Sequence, residues 1–162
     1  MQSIERQIVE LCSKNHKTIA SCESLTAGLF ASTIASVPGA SAVLKGAIVS
    51  YATEVKKDIV HVPEKLIEKF GVISKECARS MAYNTQKSMD VDYCISFTGN
   101  AGPSAWEDKP AGRVYCAIVS RMGKIWDFEF QIDHADRNEV RQQVVSEMIE
   151  HLIQSIEEEL YG

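Results

Sequence analysis

The sequence predicts an α/β domain in which a layered, mixed β-sheet is flanked by helices. Three observations support this class. Helical periodicity alternates with short β-rich apolar segments over residues 1–97, a β-hairpin pattern follows, and a long amphipathic helix comes last. With 162 residues, 45% of them hydrophobic, we expect one domain over residues 1–162 with a substantial core.

The first helix and strand follow from spacing. Residues 2–15 carry apolar side chains at helical intervals, and residues 17–22 form a short apolar strand. A tight turn then leads into an Ala-rich helical pattern over residues 27–36, which Pro38-Gly39 ends. This is the start of an α/β unit.

The middle of the chain continues the alternation. Residues 42–51 are almost continuously apolar, as is typical of a strand covered on both faces. A short helix follows, which Thr53 can cap, and residues 63–70 predict another. Ser74 then opens a longer helix with Cys77, Ala78, Met81, Ala82 and Thr85 on its inner face.

The last third predicts three strands and one helix. Residues 93–97 form a buried strand, and residues 112–120 and 125–132 form an antiparallel hairpin. Strict alternation in the second hairpin strand indicates a half-exposed strand near an edge. A helix over residues 136–160 carries an apolar stripe that we interpret as packing surface.

Composition excludes several function classes. The net charge of −5 and the absence of a Lys/Arg run argue against nucleic-acid binding. No apolar run reaches the roughly 20 residues of a membrane span, and the first residues do not resemble a signal peptide, so we expect a cytoplasmic protein. The cysteines and histidines lack metal-ligand spacing, and we predict no metal site and reduced, packed cysteines.

The turn Glu23-Ser24-Leu25-Thr26-Ala27-Gly28 joins the first strand to the second helix. A turn of this kind presents a hydroxyl and unpaired backbone N–H groups at the positive end of a helix, where an anion or a developing oxyanion is stabilised. The alternative is an ordinary corner in which Ser24 or Thr26 is simply the N-cap.

Three segments are expected to converge. If the first three strands are parallel, their carboxyl ends share one edge of the sheet, where open α/β sheets bind ligands. That edge would bring together Ser24 as a candidate nucleophile, Tyr51, and Lys56 as a candidate base. A lysine acts as a base only where desolvation or a neighbouring cation lowers its pKa. The alternative is that Lys56 is a solvated surface charge.

The chain resembles a known family in several motifs, in the same order along nearly its whole length. These are Thr18 to Leu29, Ser36-Val-Pro-Gly-Ala-Ser41, Gly46-Ala-Ile-Val-Ser-Tyr51 with Lys56, Gly71-Val-Ile-Ser74, Thr98-Gly-Asn-Ala-Gly-Pro103 and Lys109-Pro-Ala-Gly112. Together they resemble the C-terminal domain family of the competence-damage-inducible protein CinA. Its stand-alone members are nicotinamide mononucleotide deamidases.

The resemblance implies an activity and its residues. Ser24 would be the nucleophile and Lys56 the base of an amide hydrolysis that converts nicotinamide mononucleotide to nicotinate mononucleotide and ammonia, without metal or organic cofactor. Tyr51 would support catalysis, and family likeness implies a homodimer or higher oligomer. The substrate contacts would be Thr26, Ala27, Gly28, Thr98, Gly99, Asn100, Gly102, Arg137 and Arg141.

Some roles within that set stay open. Backbone N–H groups of either the 26–28 turn or the 99–102 turn could form the oxyanion hole, and the other turn would hold the phosphate. Arg137 and Arg141 suit a phosphate through their planar fork of donors. The alternative for each arginine is a solvated helix face.

The chain departs from the family pattern at Leu25, Ala27, Asn100, Arg113 and the loop Ser104-Ala-Trp-Glu. A Cβ at residue 27 could crowd a ligand if the backbone there needs positive φ. Two hypotheses follow: an active deamidase, which the retained serine, lysine and tyrosine favour, and a weak or inactive relative that binds a nucleotide or a protein partner, which the altered loop favours. A serine amidase with another substrate is a third possibility.

Overall fold

A computed structural model describes residues 1–162 and contains a single five-stranded sheet. The helices are α1 (Ile4–Lys14), α2 (Leu29–Ala35), α3 (Thr53–Asp58), α4 (Glu64–Phe70), α5 (Lys75–Met89) and α6 (Arg137–Tyr161). The strands are β1 (Ile19–Glu23), β2 (Leu44–Val49), β3 (Tyr93–Gly99), β4 (Arg113–Ser120) and β5 (Ile125–Gln131). The order of elements is the one that the sequence predicts.

The sheet is mixed, as predicted. Its strand order is β2-β1-β3-β4-β5. β1 pairs in parallel with both β2 and β3, whereas β4 pairs antiparallel with β3 and with β5. The carboxyl ends of β1, β2 and β3 therefore share one edge, which brings the three segments that follow them into proximity.

Helices cover both faces of the sheet. On one face α1, α2 and α6 pack through the larger apolar core, which includes Ile8, Phe30 and Met148. On the other face α5 packs on β3 and β4 through a second core around Met81. All five cysteines are buried and unpaired. No helix combines the length and the apolar character that crossing a bilayer requires.

The sequence patterns predicted the burial of one edge strand correctly and that of the other wrongly. β5 alternates exposed and half-buried residues, which confirms the predicted half-exposed edge strand. The prediction that β2 is covered on both faces is wrong: β2 is the opposite edge, and Val49 is 46% exposed. An apolar run cannot distinguish a central strand from an apolar edge strand, because both lack alternation.

Two helix starts also differ from their predictions. α2 begins at Leu29, two residues after the predicted start, because Ala27 and Gly28 are both in the left-handed region. Thr53 does not cap α3: Ala52 occupies the N-cap position, and no side chain bonds the first turn. Longer elements such as α5 begin as predicted, with the Ser74 hydroxyl accepting from the Cys77 N–H.

Candidate functional site

The turn after β1 is organised by the buried carboxylate of Glu23. One oxygen accepts from the backbone N–H of Gly28 at 3.2 Å and of Phe30 at 3.0 Å. The other accepts from the Ala31 N–H at 3.0 Å and from the Ser21 hydroxyl at 2.8 Å. Glu23 thus caps α2 from five residues before its N-cap position, where its negative charge also meets the positive end of the helix.

Because Glu23 caps α2, the interpretation of Ser24 or Thr26 as the N-cap is wrong. Gly28 stands at the N-cap position with φ +94°, and Ala27 precedes it with φ +48°. The condition under which a Cβ at residue 27 could crowd a ligand, a positive φ, is therefore met, but Ala27 is exposed and does not line the cavity. The Ser24 hydroxyl is left free for another contact.

That contact is the amine of Lys56, which comes from α3. Lys56 Nζ lies 3.0 Å from Ser24 Oγ, 2.6 Å from the carbonyl oxygen of Ser50 and 3.2 Å from that of Tyr51. Lys56 is 1% exposed, so the alternative of a solvated surface charge is wrong. The carboxyl end of β2 and the start of α3 hold this amine against the turn that follows β1.

The surroundings of Lys56 favour its neutral form. It takes part in no salt bridge, and burial lowers its pKa below the ordinary lysine value, while the more distant Cys77, Cys22 and Glu107 oppose this shift. A neutral amine has two N–H donors and one lone pair. The two carbonyl oxygens accept the two donors, which leaves the lone pair to accept the proton of the Ser24 hydroxyl.

A cavity of about 380 Å³ opens onto this pair. Ser24 and Leu25 line it on one side, residues 99–106 on another, and Tyr51 and Arg137 complete the wall. Ser24 Oγ is therefore reached from the cavity, whereas Lys56 lies behind it. This order places a nucleophile candidate next to the ligand space and its base candidate out of contact with solvent.

Arg137 and Tyr51 meet across the cavity mouth. Arg137, the first residue of α6, donates from Nη1 to the Gly102 carbonyl and from Nη2 to the Tyr51 hydroxyl, each at 2.6 Å. The guanidinium retains further N–H donors that bond nothing in the chain. A dianion at the mouth could accept these donors.

Asn100 shapes the wall opposite Ser24. Its amide donates to the carbonyl oxygens of Ser104 at 2.7 Å and Lys109 at 3.3 Å, and its side-chain oxygen accepts from the Gly102 N–H at 3.0 Å. Gly99 lets β3 approach β4 closely, since a Cβ there would lie 2.6 Å from the Arg113 carbonyl oxygen. Both residues therefore shape the cavity by positioning the backbone of its wall.

This assembly matches known proteins. The family model for the CinA C-terminal domain matches residues 1–156. A Listeria welshimeri protein, provisionally named competence-damage inducible, is 37% identical over 156 residues, which cover 94% of this chain and 37% of that protein. A Mycoplasma pneumoniae homologue of protein MG115 is 38% identical over 147 residues, covering 88% of this chain and 92% of that one.

The chain belongs to the CinA C-terminal domain family. Solved structures agree with this assignment. The competence/damage inducible protein CihA of Agrobacterium tumefaciens superposes with a TM-score of 0.90 at 28% identity, over 93% of this chain and 92% of that one. A CinA superfamily protein of Escherichia coli shares the fold. It superposes with a TM-score of 0.89 at 23% identity, over 93% of this chain and 87% of that one.

The structure of this CinA-family domain brings together seven of the sequence-predicted site residues. Lys56 lies behind the Ser24 hydroxyl, and the other six border the cavity: Ser24, Tyr51, Gly99, Asn100, Gly102 and Arg137.

The other predicted substrate contacts lie outside the cavity lining. Thr98 is buried and donates to the Val72 carbonyl at 2.7 Å. Arg141 donates to the carbonyl oxygens of Leu25 at 2.9 Å and Thr26 at 3.0 Å, so its guanidinium faces the backbone of the turn. Thr26, Ala27 and Gly28 follow Ser24 and Leu25 in the turn, and they do not line the cavity.

Sequence reasoning missed three residues that this CinA domain uses around the site. Glu23 had a signal, because an acidic residue that ends a buried strand needs hydrogen-bond donors. Glu107 and the Ser50 carbonyl had none. Glu107 accepts from the N–H groups of Val72 at 3.1 Å and Ile73 at 2.8 Å, a contact between segments that no local pattern links.

Proposed function

We propose that this protein hydrolyses the carboxamide of nicotinamide mononucleotide, giving nicotinate mononucleotide and ammonia. The observation that carries the proposal is the buried Lys56 amine, which lies 3.0 Å from Ser24 Oγ and has no carboxylate partner. Two carbonyl oxygens fix its orientation. The resemblance of the surrounding motifs to nicotinamide mononucleotide deamidases supplies the substrate.

Ser24 acts as the nucleophile. As its oxygen bonds to the carboxamide carbon, its proton passes to the lone pair of Lys56 Nζ, and the electron pair of the C=O bond moves to the carbonyl oxygen. Lys56 then returns the proton to the amide nitrogen. The oxyanion re-forms the C=O bond as the C–N bond breaks, so that ammonia leaves and an acyl-serine ester remains. A water molecule then bonds to the ester carbon as Lys56 takes its proton. The bond from that carbon to Ser24 Oγ breaks, and Lys56 returns the proton to Oγ, which releases nicotinate mononucleotide and restores Ser24.

The turn after Ser24 is the better oxyanion hole. The backbone N–H groups of Leu25 and Thr26 donate no hydrogen bond within the chain. In the other turn the Asn100 N–H donates to the Arg113 carbonyl and the Gly102 N–H to the Asn100 side chain, so that only the Ala101 N–H between them is free. Free donors beside the nucleophile are what a developing oxyanion requires.

Arg141 and Arg137 take different roles under this proposal. Arg141 positions the oxyanion hole and does not contact the ligand. Its guanidinium donates to the Leu25 carbonyl oxygen. The N–H of Thr26 belongs to the same trans peptide, so it points in the opposite direction, away from Arg141. Arg137 binds the phosphate, because its unused donors lie at the cavity mouth beside the Tyr51 hydroxyl.

The test is ammonia release from nicotinamide mononucleotide by the purified protein and by Ser24→Ala. Loss of the nucleophile should lower kcat by about 10⁴-fold or more. Ser41→Ala, which removes an exposed hydroxyl remote from the cavity, is the matched control and should keep full activity. Folded wild-type protein that releases no ammonia would contradict the proposal, and calorimetry with the nucleotide would then decide whether the domain is a binder.

A further inference from the structure

Trp106 is a large aromatic side chain held at the wall of the Ser24 cavity. The residue is 52% exposed, and it lines the cavity. When a flat ligand covers a half-exposed tryptophan, apolar surface is removed from water and the two rings gain contact area, and both changes are favourable. Its position beside the ligand space therefore needs an explanation other than core packing.

The backbone that carries Trp106 is a tight hairpin. The Trp106 N–H donates to the Lys109 carbonyl at 3.0 Å, and the Lys109 N–H donates back at 2.8 Å. The two residues between them, Glu107 and Asp108, have φ of +52° and +58°. Positive φ at both central positions is the signature of a type I′ turn.

The hairpin is fixed to the domain at two further points. The Glu107 carboxylate accepts from the N–H groups of Val72 and Ile73, at the connection between α4 and α5. The Asn100 amide holds the Lys109 carbonyl from the other side. Because folding has already ordered this loop, a ligand that contacts the indole loses little affinity to loop ordering.

The charges around the cavity restrict what the indole can bind. Arg137 is the one charged side chain in the lining, and no carboxylate borders the cavity. A cationic ring that enters this space meets no anionic side chain. The electron-rich faces of Trp106 and Tyr51 are the groups that can attract it.

We infer that Trp106 is the specificity-determining residue of this site, and that its indole stacks on the planar ring of an N-substituted pyridinium carboxamide. This inference rests on the proposed function and deepens it: the preferred substrates are amides on a cationic aromatic ring, ahead of neutral amides of the same size. Arg137 receives the phosphate, and Trp106 receives the ring.

Kinetics of two Trp106 variants test the stacking. Trp106→Ala should raise KM for nicotinamide mononucleotide about tenfold with kcat little changed, because stacking stabilises bound substrate and transition state alike. Trp106→Phe should restore most of the affinity. The preference for nicotinamide mononucleotide over its neutral dihydropyridine form should fall in Trp106→Ala. A KM unchanged in Trp106→Ala, or a preference that does not fall, would overturn the inference.

Fluorescence gives an independent test, because the chain has two tryptophans, Trp106 and Trp126. In Trp126→Phe the tryptophan emission comes from Trp106 alone, and in Trp106→Phe it comes from Trp126 alone. Titration with 1-methylnicotinamide, the smallest pyridinium carboxamide, should quench Trp126→Phe in a saturable manner and Trp106→Phe only linearly, as free tryptophan is quenched. Linear quenching in both variants would contradict the stacking.

The two proposals fail in distinguishable ways. If wild-type protein releases no ammonia yet 1-methylnicotinamide saturably quenches Trp106, the deamidase proposal fails and the aromatic site stands. If ammonia is released while Trp106→Ala keeps its KM and Trp106 shows no saturable quenching, the deamidase proposal stands and Trp106 has no part in recognition.

Discussion

Glu23 and Lys56 are both ionisable and both inaccessible to solvent, at 0% and 1% exposure, yet their surroundings differ sharply. Glu23 accepts four hydrogen bonds, three of them from backbone N–H groups at the start of α2. Lys56 meets two carbonyl oxygens and one hydroxyl, and no carboxylate. From these hydrogen-bond partners we assign Glu23 a structural role, and Lys56 the chemical role that the proposed function gives it.

The comparison teaches how one edge of a sheet can serve both purposes. A buried charge with complete hydrogen bonding is stable and rigid, whereas a buried amine without a counter-ion tends to lose its proton. Glu23 fixes the turn that carries Ser24, and the Lys56 amine, the proposed base, is held 3.0 Å from the Ser24 hydroxyl oxygen. Disturbing Glu23 should alter the fold first, and disturbing Lys56 should alter the rate first.

Between these two residues, the larger effect is expected at Lys56. Lys56→Ala removes the proposed base and should lower kcat for nicotinamide mononucleotide by about 10³-fold, within the usual range for general-base catalysis. Lys57→Ala is the matched control, because the neighbouring Lys57 is partly exposed and only forms a long contact of 3.9 Å with Glu64. Initial rates of ammonia release measure both. Equal rates for the two variants would rule out Lys56 as the base.

The next effect concerns stability. Glu23→Gln keeps the size of the side chain but turns an amide group toward backbone N–H donors, so the free energy of unfolding should fall by about 3 kcal/mol. Urea unfolding followed by circular dichroism measures this. Glu68→Gln, at an exposed position on α4, should change it by less than about 0.5 kcal/mol. A loss below about 1 kcal/mol in Glu23→Gln would mean that the four bonds do not stabilise the turn.

The last prediction concerns the pH dependence of kcat/KM, which tests the contrast between Glu23 and Lys56 without a mutation. Only the neutral amine accepts the Ser24 proton, so kcat/KM should rise about tenfold per pH unit below the pKa of Lys56 and level off above it. Burial lowers that pKa from 10.5, so the plateau should begin below the ordinary lysine value. Rates from about pH 6 to pH 10 test this. A profile that keeps rising to the ordinary value would show that Lys56 is not perturbed.

The sequence predicted the fold because its signals are local and agree with one another. Alternating periods set the order of elements, and a two-residue-period pattern identified β5 as an edge strand. The same reasoning failed at β2, where an apolar run suggested burial. Which strand lies at the edge depends on the position of β1 between its two parallel partners, and that is set by tertiary packing.

For the candidate site, the sequence predicted which segments meet but not how each donor is used. Ser24, Lys56 and Tyr51 converge because they follow parallel strands. Arg137 and Arg141 look equivalent in the sequence, one helical turn apart. Arg137 nevertheless borders the cavity, whereas Arg141 donates to backbone carbonyl oxygens of the turn that carries Ser24. Only the path of α6 across the sheet distinguishes them.

The bonds from Arg141 to Leu25 and Thr26 span 116 and 115 residues of the chain. During synthesis, the turn that carries Ser24 leaves the ribosome long before the helix that holds its carbonyl groups. A nascent chain that ends before α6 can contain Ser24 and Lys56 but lacks Arg137 and Arg141. The contacts that complete the cavity therefore form only after α6 has been synthesised, so under the proposed function no hydrolysis precedes the synthesis of that helix.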